Sequence, residues 1–151
     1  MEPNNESAQP FLRIKRQFDV PPSTVFDTLT KPSLLPIWWG EAKFDIDLKV
    51  GGQWTIIRHD DGVEHLATGT YQEVERPTRL QYTFGMPEFS PDSDLISVTI
   101  QAIDGGSIMV FEHSGVGIAA ELNKLSAGGW SPSEAGWQQG FDLMAAEWSK
   151  Q

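Results

Sequence analysis

Cysteine is absent from the 151-residue sequence. The chain therefore has no disulfide, no thiolate nucleophile and no zinc site built on cysteine. A chain without cysteine is compatible with a reducing compartment. We expect a cytoplasmic protein.

Basic residues are few: 11 Lys and Arg stand against 21 Asp and Glu, which gives a formal net charge of -10. No basic stripe is present, so we expect binding neither to nucleic acid nor to an anionic membrane surface. An acidic surface mainly keeps a protein soluble. The alternative is that the surface binds a basic partner.

Long apolar runs are also missing. The N-terminus has no apolar segment typical of a signal peptide, and no stretch is long and apolar enough to span a bilayer. Residues 1–10 are polar and are predicted to form a disordered tail. Residues 11–151 are predicted to form one domain with a single core.

Aromatic residues are abundant and include six tryptophans, which favours a large aromatic interior. Residues 131–150 are predicted to form one amphipathic helix. Its apolar residues recur at spacings of four, three and four and so share one face; they are Trp137, Phe141, Met144 and Trp148. Ser131 is predicted to cap the helix, with Glu134 completing a capping box.

Two glycines, Gly136 and Gly140, lie one turn apart near this apolar face. Each costs about 1 kcal/mol relative to alanine in a helix interior. Either another group approaches the backbone closely at these positions, or space is left open there.

The segment before this helix alternates apolar and polar residues, which is typical of half-buried strands. Asp and Gly at residues 60–62 and 104–106 predict hairpin turns. Two short helices are expected after the first strand. The fold class is therefore α+β, with a curved antiparallel sheet of about six to seven strands wrapped around the long C-terminal helix. A gap between sheet and helix is a natural ligand pocket.

An ordered set of short motifs resembles a known family. The motifs are PSTVF (residues 22–26), LTKP (29–32), WW (38–39), GGQW (51–54), DG (61–62), GTYQEVERPTRL (69–80), EHSG (112–115) and GW (136–137). They resemble proteins similar to the C-terminal domain of the activator of heat-shock protein 90 ATPase, within the START-like, birch-pollen-allergen-like helix-grip superfamily. The resemblance implies a helix-grip fold and relatives that include polyketide cyclases and lipid carriers. Residues 116–133 look longer than is usual there and are expected to reshape the cavity mouth.

Two histidines, His59 and His65, flank the first hairpin turn, beside Asp60 and Glu64. Histidine and carboxylate side chains are metal ligands. Their spacing matches no established zinc motif, and hairpin tips are normally polar and hydrated. We therefore predict no metal site and no cofactor.

Three residues are weak candidates for catalysis: Glu112, His113 and Arg58. Neighbouring residues in a strand point to opposite faces, so one of Glu112 and His113 faces inward, where burial shifts a pKa and suits general acid or base chemistry. A hydrogen-bonded structural residue is the alternative. Arg58 shares a face with Trp54. On the concave side it would pair with an acidic ligand group or an internal glutamate, and on the convex side it would be solvated.

The favoured function is a small soluble protein that encloses a hydrophobic or amphipathic small molecule between sheet and helix. The expected ligand contacts are Trp39, Trp54, Tyr82, Trp137, Phe141 and Met144. One alternative is an enzyme of cyclase, lyase or hydrolase type on the same scaffold. The resemblance implies another, a chaperone-associated or stress-response module with a chaperone or other protein as partner.

Overall fold

A computed structural model describes residues 9–125 and 129–150. The tail predicted for residues 1–10 lies outside the described residues except for its last two, which are exposed. The described residues form seven strands and four helices. In chain order these are β1 (Leu12–Phe18), α1 (Pro22–Thr30), α2 (Pro36–Trp39), β2 (Lys43–Ile46), β3 (Gln53–Asp60), β4 (Val63–Glu75), β5 (Arg79–Phe84), β6 (Asp94–Ile103), β7 (Gly106–Ser114), α3 (Val116–Asn123) and α4 (Pro132–Trp148).

The seven strands form one antiparallel sheet in the order β1-β7-β6-β5-β4-β3-β2. From β2 to β7, each strand pairs with the next along the chain, and β1 returns to pair with β7. The short helices α1 and α2 lie between the two edge strands in sequence. The predicted α+β class with an antiparallel sheet and a long C-terminal helix is confirmed.

Both predicted hairpin turns are confirmed, and each contains two residues. Asp60 pairs with Val63 across the first turn, where Asp61 and Gly62 have φ values of 52° and 79°. Positive φ at both positions matches the twist of the flanking strands. In the second turn Gly105 has a φ of 79°. These short turns fix the register of the strands on either side.

Helix α4 begins where its sequence predicts. Pro132 occupies the first turn, and Oγ of Ser131 accepts a hydrogen bond from the backbone N–H of Glu134. Trp137, Phe141 and Met144 are buried, as the apolar spacing predicts. The helix ends at Trp148, two residues before the predicted boundary.

The buried face of α4 packs on the inward-facing residues of the sheet. Phe111 of β7 lies 4.8 Å from the ring of Trp137 and 5.1 Å from that of Phe141, measured between centroids. At the other end of the helix, Trp148 meets Phe18 of β1 edge to face at 5.0 Å. Aromatic contacts of this kind add to the free energy of burial.

Arg16 of β1 links the exposed side of α4 to the edge of the sheet by hydrogen bonds. Its guanidinium donates to Oε1 of Gln138 over 2.7 Å and to Oδ1 of Asp142 over 2.9 Å. Arg16 lies on the inward face of β1, so its long side chain extends past Phe18 to reach the helix.

The two glycines of α4 serve different purposes. A Cβ atom at Gly140 would lie 3.0 Å from Cε3 of Trp38, whereas a Cβ at Gly136 would meet nothing within 4 Å. A side chain at residue 140 would therefore crowd Trp38, because α2 approaches the helix closely there. At residue 136 the same lack of a side chain leaves space open.

Within the described residues, no helix has the length and apolar character needed to cross a bilayer.

Candidate functional site

A cleft of about 300 Å³ opens beside the N-terminal half of α4. It lies between that helix, α2 and the inward faces of β3, β5 and β7. Gly136 lies at its edge, where the absent side chain leaves room. The residues that line the cleft are Trp38, Trp39, Arg58, Phe84, Met86, His113, Pro132, Ser133, Gly136, Trp137, Gln139, Gly140 and Leu143.

Trp137 is the central wall of this cleft. Only 8% of its surface is exposed. Its ring centroid lies 5.3 Å from that of Phe84 and 6.4 Å from those of both Trp38 and Trp39. Because two rings of α2 and one ring of the sheet lie close to it, Trp137 shapes this wall of the cleft.

His113 holds the indole of Trp137 in place. The N–H at Nε1 of Trp137 donates to Nδ1 of His113 over 3.1 Å. An indole N–H only donates, so Nδ1 is the acceptor and Nε2 carries the ring proton. That proton is donated to Oδ2 of Asp94 over 2.8 Å. The two hydrogen bonds therefore run in one direction, with Trp137 donating to His113 and His113 donating to Asp94.

Asp94 is the residue that the sequence analysis missed. Residues 85–94 look like an exposed loop, but Asp94 begins β6 and its side chain is only 11% exposed. Its carboxylate also accepts the backbone N–H groups of Gly117 and Ile118, each over 2.9 Å, and so caps the start of α3. Counting back from the turn at residues 104–105 places residue 94 opposite residue 115, so the strand register brings Asp94 near His113 but does not identify the hydrogen bond between them.

Burial lowers the pKa of His113 below its ordinary value, although the hydrogen bond and charge of Asp94 act in the opposite direction. The imidazole is therefore neutral at pH 7. With Nδ1 accepting from Trp137 and Nε2 donating to Asp94, neither ring nitrogen has a free lone pair for a substrate proton.

The other two catalytic candidates lie on opposite faces of the sheet. Glu112 points away from the cleft, and its carboxylate pairs with Nε of Arg13 at 3.2 Å. Arg58 lines the cleft on the inward face, which it shares with Trp54. Its Nη2 lies 3.5 Å from Oδ2 of Asp60, and its side chain is 43% exposed.

The six expected ligand contacts fall into three groups. Trp39 and Trp137 line the cleft. Trp54 and Tyr82 line a second gap of about 20 Å³, a volume that admits about one water molecule. Trp39 borders this gap as well as the cleft. Phe141 and Met144 are fully buried in the core. The space between sheet and helix is therefore filled by side chains at its centre, and the room for a guest lies at one end.

The two hairpin histidines each have a carboxylate neighbour. Nε2 of His59 lies 3.4 Å from Glu64, and Nδ1 of His65 lies 3.0 Å from Glu88. Across residues 9–125 and 129–150, no three His, Asp or Glu side chains converge as metal ligands would.

The described part of residues 116–133 contains α3, and its last two residues border the cleft. Residues 126–128 lie outside the described residues. Glu121 of α3 accepts hydrogen bonds from the backbone N–H and the hydroxyl of Ser133, over 3.1 and 2.7 Å, and from the hydroxyl of Ser131. One carboxylate therefore ties α3 to the first turn of α4, where Pro132 and Ser133 border the cleft.

An antiparallel sheet with a long helix packed on its inward face, and a cleft at one end of that helix, defines a helix-grip protein. A family model described as Activator of Hsp90 ATPase homolog 1-like protein matches residues 19–147. The chain belongs to this family, and the resemblance found in its sequence motifs is confirmed.

Solved structures share the fold at low sequence identity. A protein from Rhodobacter sphaeroides is 17% identical with a TM-score of 0.78, and the match covers 93% of this chain and 92% of that one. A protein from Chromobacterium violaceum is 23% identical with a TM-score of 0.75, over 90% and 94%. An HSP90 activator from Plasmodium falciparum is 19% identical with a TM-score of 0.59, over 70% and 73%. No curated protein matches the sequence.

Proposed function

We propose that the protein binds a small, mainly apolar or amphipathic molecule in the cleft beside α4. The observation that carries this proposal is a cleft of about 300 Å³ with aromatic walls, at which Gly136 has no side chain to occupy the space. Sites for small molecules span roughly 300–1,000 Å³. This cleft is at the lower end of that range, so its guest is compact rather than a long-chain lipid.

Aromatic walls supply most of the binding free energy in this proposal. A guest ring that buries about 150 Å² at about 25 cal/mol per Å² gains about 4 kcal/mol. That gain alone corresponds to a dissociation constant of about 1 mM. Tighter binding therefore needs polar contacts at the rim of the cleft.

Gly136→Leu tests the proposal directly. A Cβ at this position meets nothing within 4 Å, so the leucine side chain has open space to occupy at the edge of the cleft. We expect native mass spectrometry of protein purified from its own source to detect a co-purifying small molecule with the wild type and none with Gly136→Leu. Ala146→Leu, at an exposed position further along α4, is the matched control and retains the guest. Equal retention by all three proteins, or a guest on none of them, contradicts the proposal.

The hypothesis that the cleft is the active site of an enzyme has less support than ligand binding. His113 lines it with a lowered pKa, which would suit a general base. Both of its ring nitrogens are already engaged, and Glu112 lies on the other face of the sheet. We therefore assign no reaction to the cleft.

Association with an Hsp90-type chaperone is a second candidate function. The observation in its favour is the family description, together with the fold shared with an HSP90 activator from Plasmodium falciparum. A cytoplasmic location, expected from the cysteine-free sequence, fits both functions. The test is the ATPase rate of a purified Hsp90 with and without one equivalent of this protein. A raised rate supports the association, and an unchanged rate contradicts it.

A further inference from the structure

We infer that the guest of the cleft is an aromatic carboxylate whose acid group pairs with Arg58. The inference deepens the proposed function and rests on it. Arg58 carries the one formal charge among the cleft-lining residues named above, since His113 is neutral at pH 7. In a chain of net charge -10, the cleft thus presents a cation to its guest.

The hydrogen bonds already made in the cleft leave mainly donors unused. Four lining residues already make hydrogen bonds. Trp38 donates to the carbonyl of Thr28, and Ser133 donates to Glu121. The other two bond to each other, since Trp137 donates to His113. Within the described part of the chain, three polar lining side chains have no hydrogen-bond partner, and these are Arg58, Trp39 and Gln139. Guanidinium and indole groups only donate, and an amide both donates and accepts. A guest rich in acceptors satisfies this set.

The start of α4 does not compete with Arg58 for an anion. The backbone N–H of Ser133 donates to Glu121, and that of Glu134 donates to Ser131. Pro132 has no N–H to offer. The amides that usually attract anions at a helix start are therefore occupied, and Arg58 remains the group that recognises the charge.

The contact of Arg58 with Asp60 is weak enough for Arg58 to bind a guest carboxylate as well. It spans 3.5 Å between side chains that are 43% and 50% exposed, and exposed pairs of this kind contribute little free energy. A guanidinium has five N–H donors and binds a carboxylate through two of them. Arg58 therefore has donors left for a guest while one remains near Asp60.

The aromatic walls select the rest of the guest. Phe84, Trp39 and Trp137 offer ring faces and edges to a planar body. The volume of about 300 Å³ suits one or two fused rings. An aromatic acid of this size places its ring on the tryptophans and its carboxylate at the rim.

The test compares 1-naphthoate with 1-naphthamide, which has the same ring and no charge, by isothermal titration calorimetry at pH 7. We expect the wild type to bind naphthoate about tenfold more tightly than naphthamide. Arg58→Gln is expected to abolish this preference, so that the variant binds the acid and the amide with similar affinity. Arg13→Gln removes the same charge from the outward face of the sheet and is expected to keep the preference.

Asp60→Asn gives an independent readout in the opposite direction. It removes the acid that competes for Arg58, so the naphthoate affinity is expected to rise while the naphthamide affinity stays constant. Added salt is expected to weaken the binding of naphthoate only.

The outcomes separate the two proposals. Equal affinities of the wild type for the acid and the amide, or a preference that survives Arg58→Gln, overturn the inference and leave the cleft as a binding site. Binding of neither compound overturns the proposed function and the inference with it.

Discussion

The indole of Trp137 donates its N–H to Nδ1 of His113 over 3.1 Å, deep in the aromatic end of the core. Nε2 of the same imidazole donates to Asp94 over 2.8 Å. A protonated imidazole has N–H groups at both nitrogens. In that form the N–H at Nδ1 would face the N–H of Trp137, and two donors cannot form a hydrogen bond. The packing around the cleft therefore requires neutral His113.

Stability is predicted to fall as the pH drops below about 6.5, the ordinary pKa of histidine. Burial lowers the pKa of His113 in the folded state, so the unfolded chain takes up a proton at a higher pH than the folded one. The contribution of His113 is complete above the unfolded pKa. It is lost as the pH falls towards the folded pKa, below which the loss levels off. Urea unfolding between pH 8 and pH 5 measures this slope.

His113→Asn is the control for this titration. It removes the ionisable ring, and Asp94 and Glu121, whose charges face the imidazole, stay in place. The variant is predicted to be less stable than the wild type at pH 8, and its stability is predicted to depend less on pH in this window. An identical slope in both proteins would show that another group carries the effect.

Trp137→Ala is predicted to lower the free energy of unfolding by about 3–5 kcal/mol, as expected for removing a large buried aromatic side chain. Trp137→Phe keeps a ring and loses the N–H, which leaves Nδ1 of His113 without its donor at a cost of about 1–3 kcal/mol. The pKa of His113 is predicted to rise in Trp137→Phe, because Nδ1 is then free to take a proton. Chemical denaturation and NMR titration of the imidazole check the two effects, and native-like stability of Trp137→Ala would contradict the assigned packing.

Local sequence patterns predicted much of this fold because local chemistry decides those features. Ser131 and Pro132 define a helix start, Asp61-Gly62 defines a tight turn, and the spacing of Trp137 and Phe141 defines a buried face. Each of these depends on residues only a few positions apart.

The candidate site depended on contacts that no local pattern records. Trp54 and Tyr82 carry the same aromatic character as Trp39 and Trp137, yet the first pair lines only a small gap and the second pair lines the cleft. Which rings fill the core and which border space is settled by the packing of the whole domain. Asp94 was missed for a similar reason, because its partner His113 lies 19 positions away.

Glu121→Ala is predicted to loosen the junction between α3 and α4 and to cost about 1–3 kcal/mol. Burial opposes ionisation of this carboxylate, but hydrogen bonds from Ser131 and Ser133 outweigh it and hold its pKa below the ordinary value. The contribution is therefore present above the ordinary pKa of glutamate and is lost as the pH falls through the folded pKa. Hydrogen exchange at the amide of Ser133 is predicted to accelerate in the variant. Unchanged exchange would contradict the role of Glu121 as the tie between the helices.

Alanine substitutions at the two glycines of α4 are predicted to differ. Gly136→Ala meets open space and gains up to about 1 kcal/mol from helix propensity. At Gly140 the added Cβ lies 3.0 Å from Trp38, whose indole is fixed by its hydrogen bond to Thr28. Gly140→Ala is therefore predicted to be less stable than Gly136→Ala and no more stable than the wild type. Thermal unfolding of the two variants side by side tests this, and the reverse order would contradict the close approach of α2.

The indole N–H signals of the tryptophans are the sharpest test of a guest site beside α4, because they report on the cleft and the core in one spectrum. In a titration of isotope-labelled protein with 1-naphthamide, we expect shifts for Trp39 and Trp137, which line the cleft, and a stationary signal for Trp54, whose indole donates to the carbonyl of Thr83 in the interior. Gly136→Leu is predicted to abolish those shifts. Shifts centred on Trp54, or none at Trp39 and Trp137 at saturating naphthamide, would contradict a guest site beside α4.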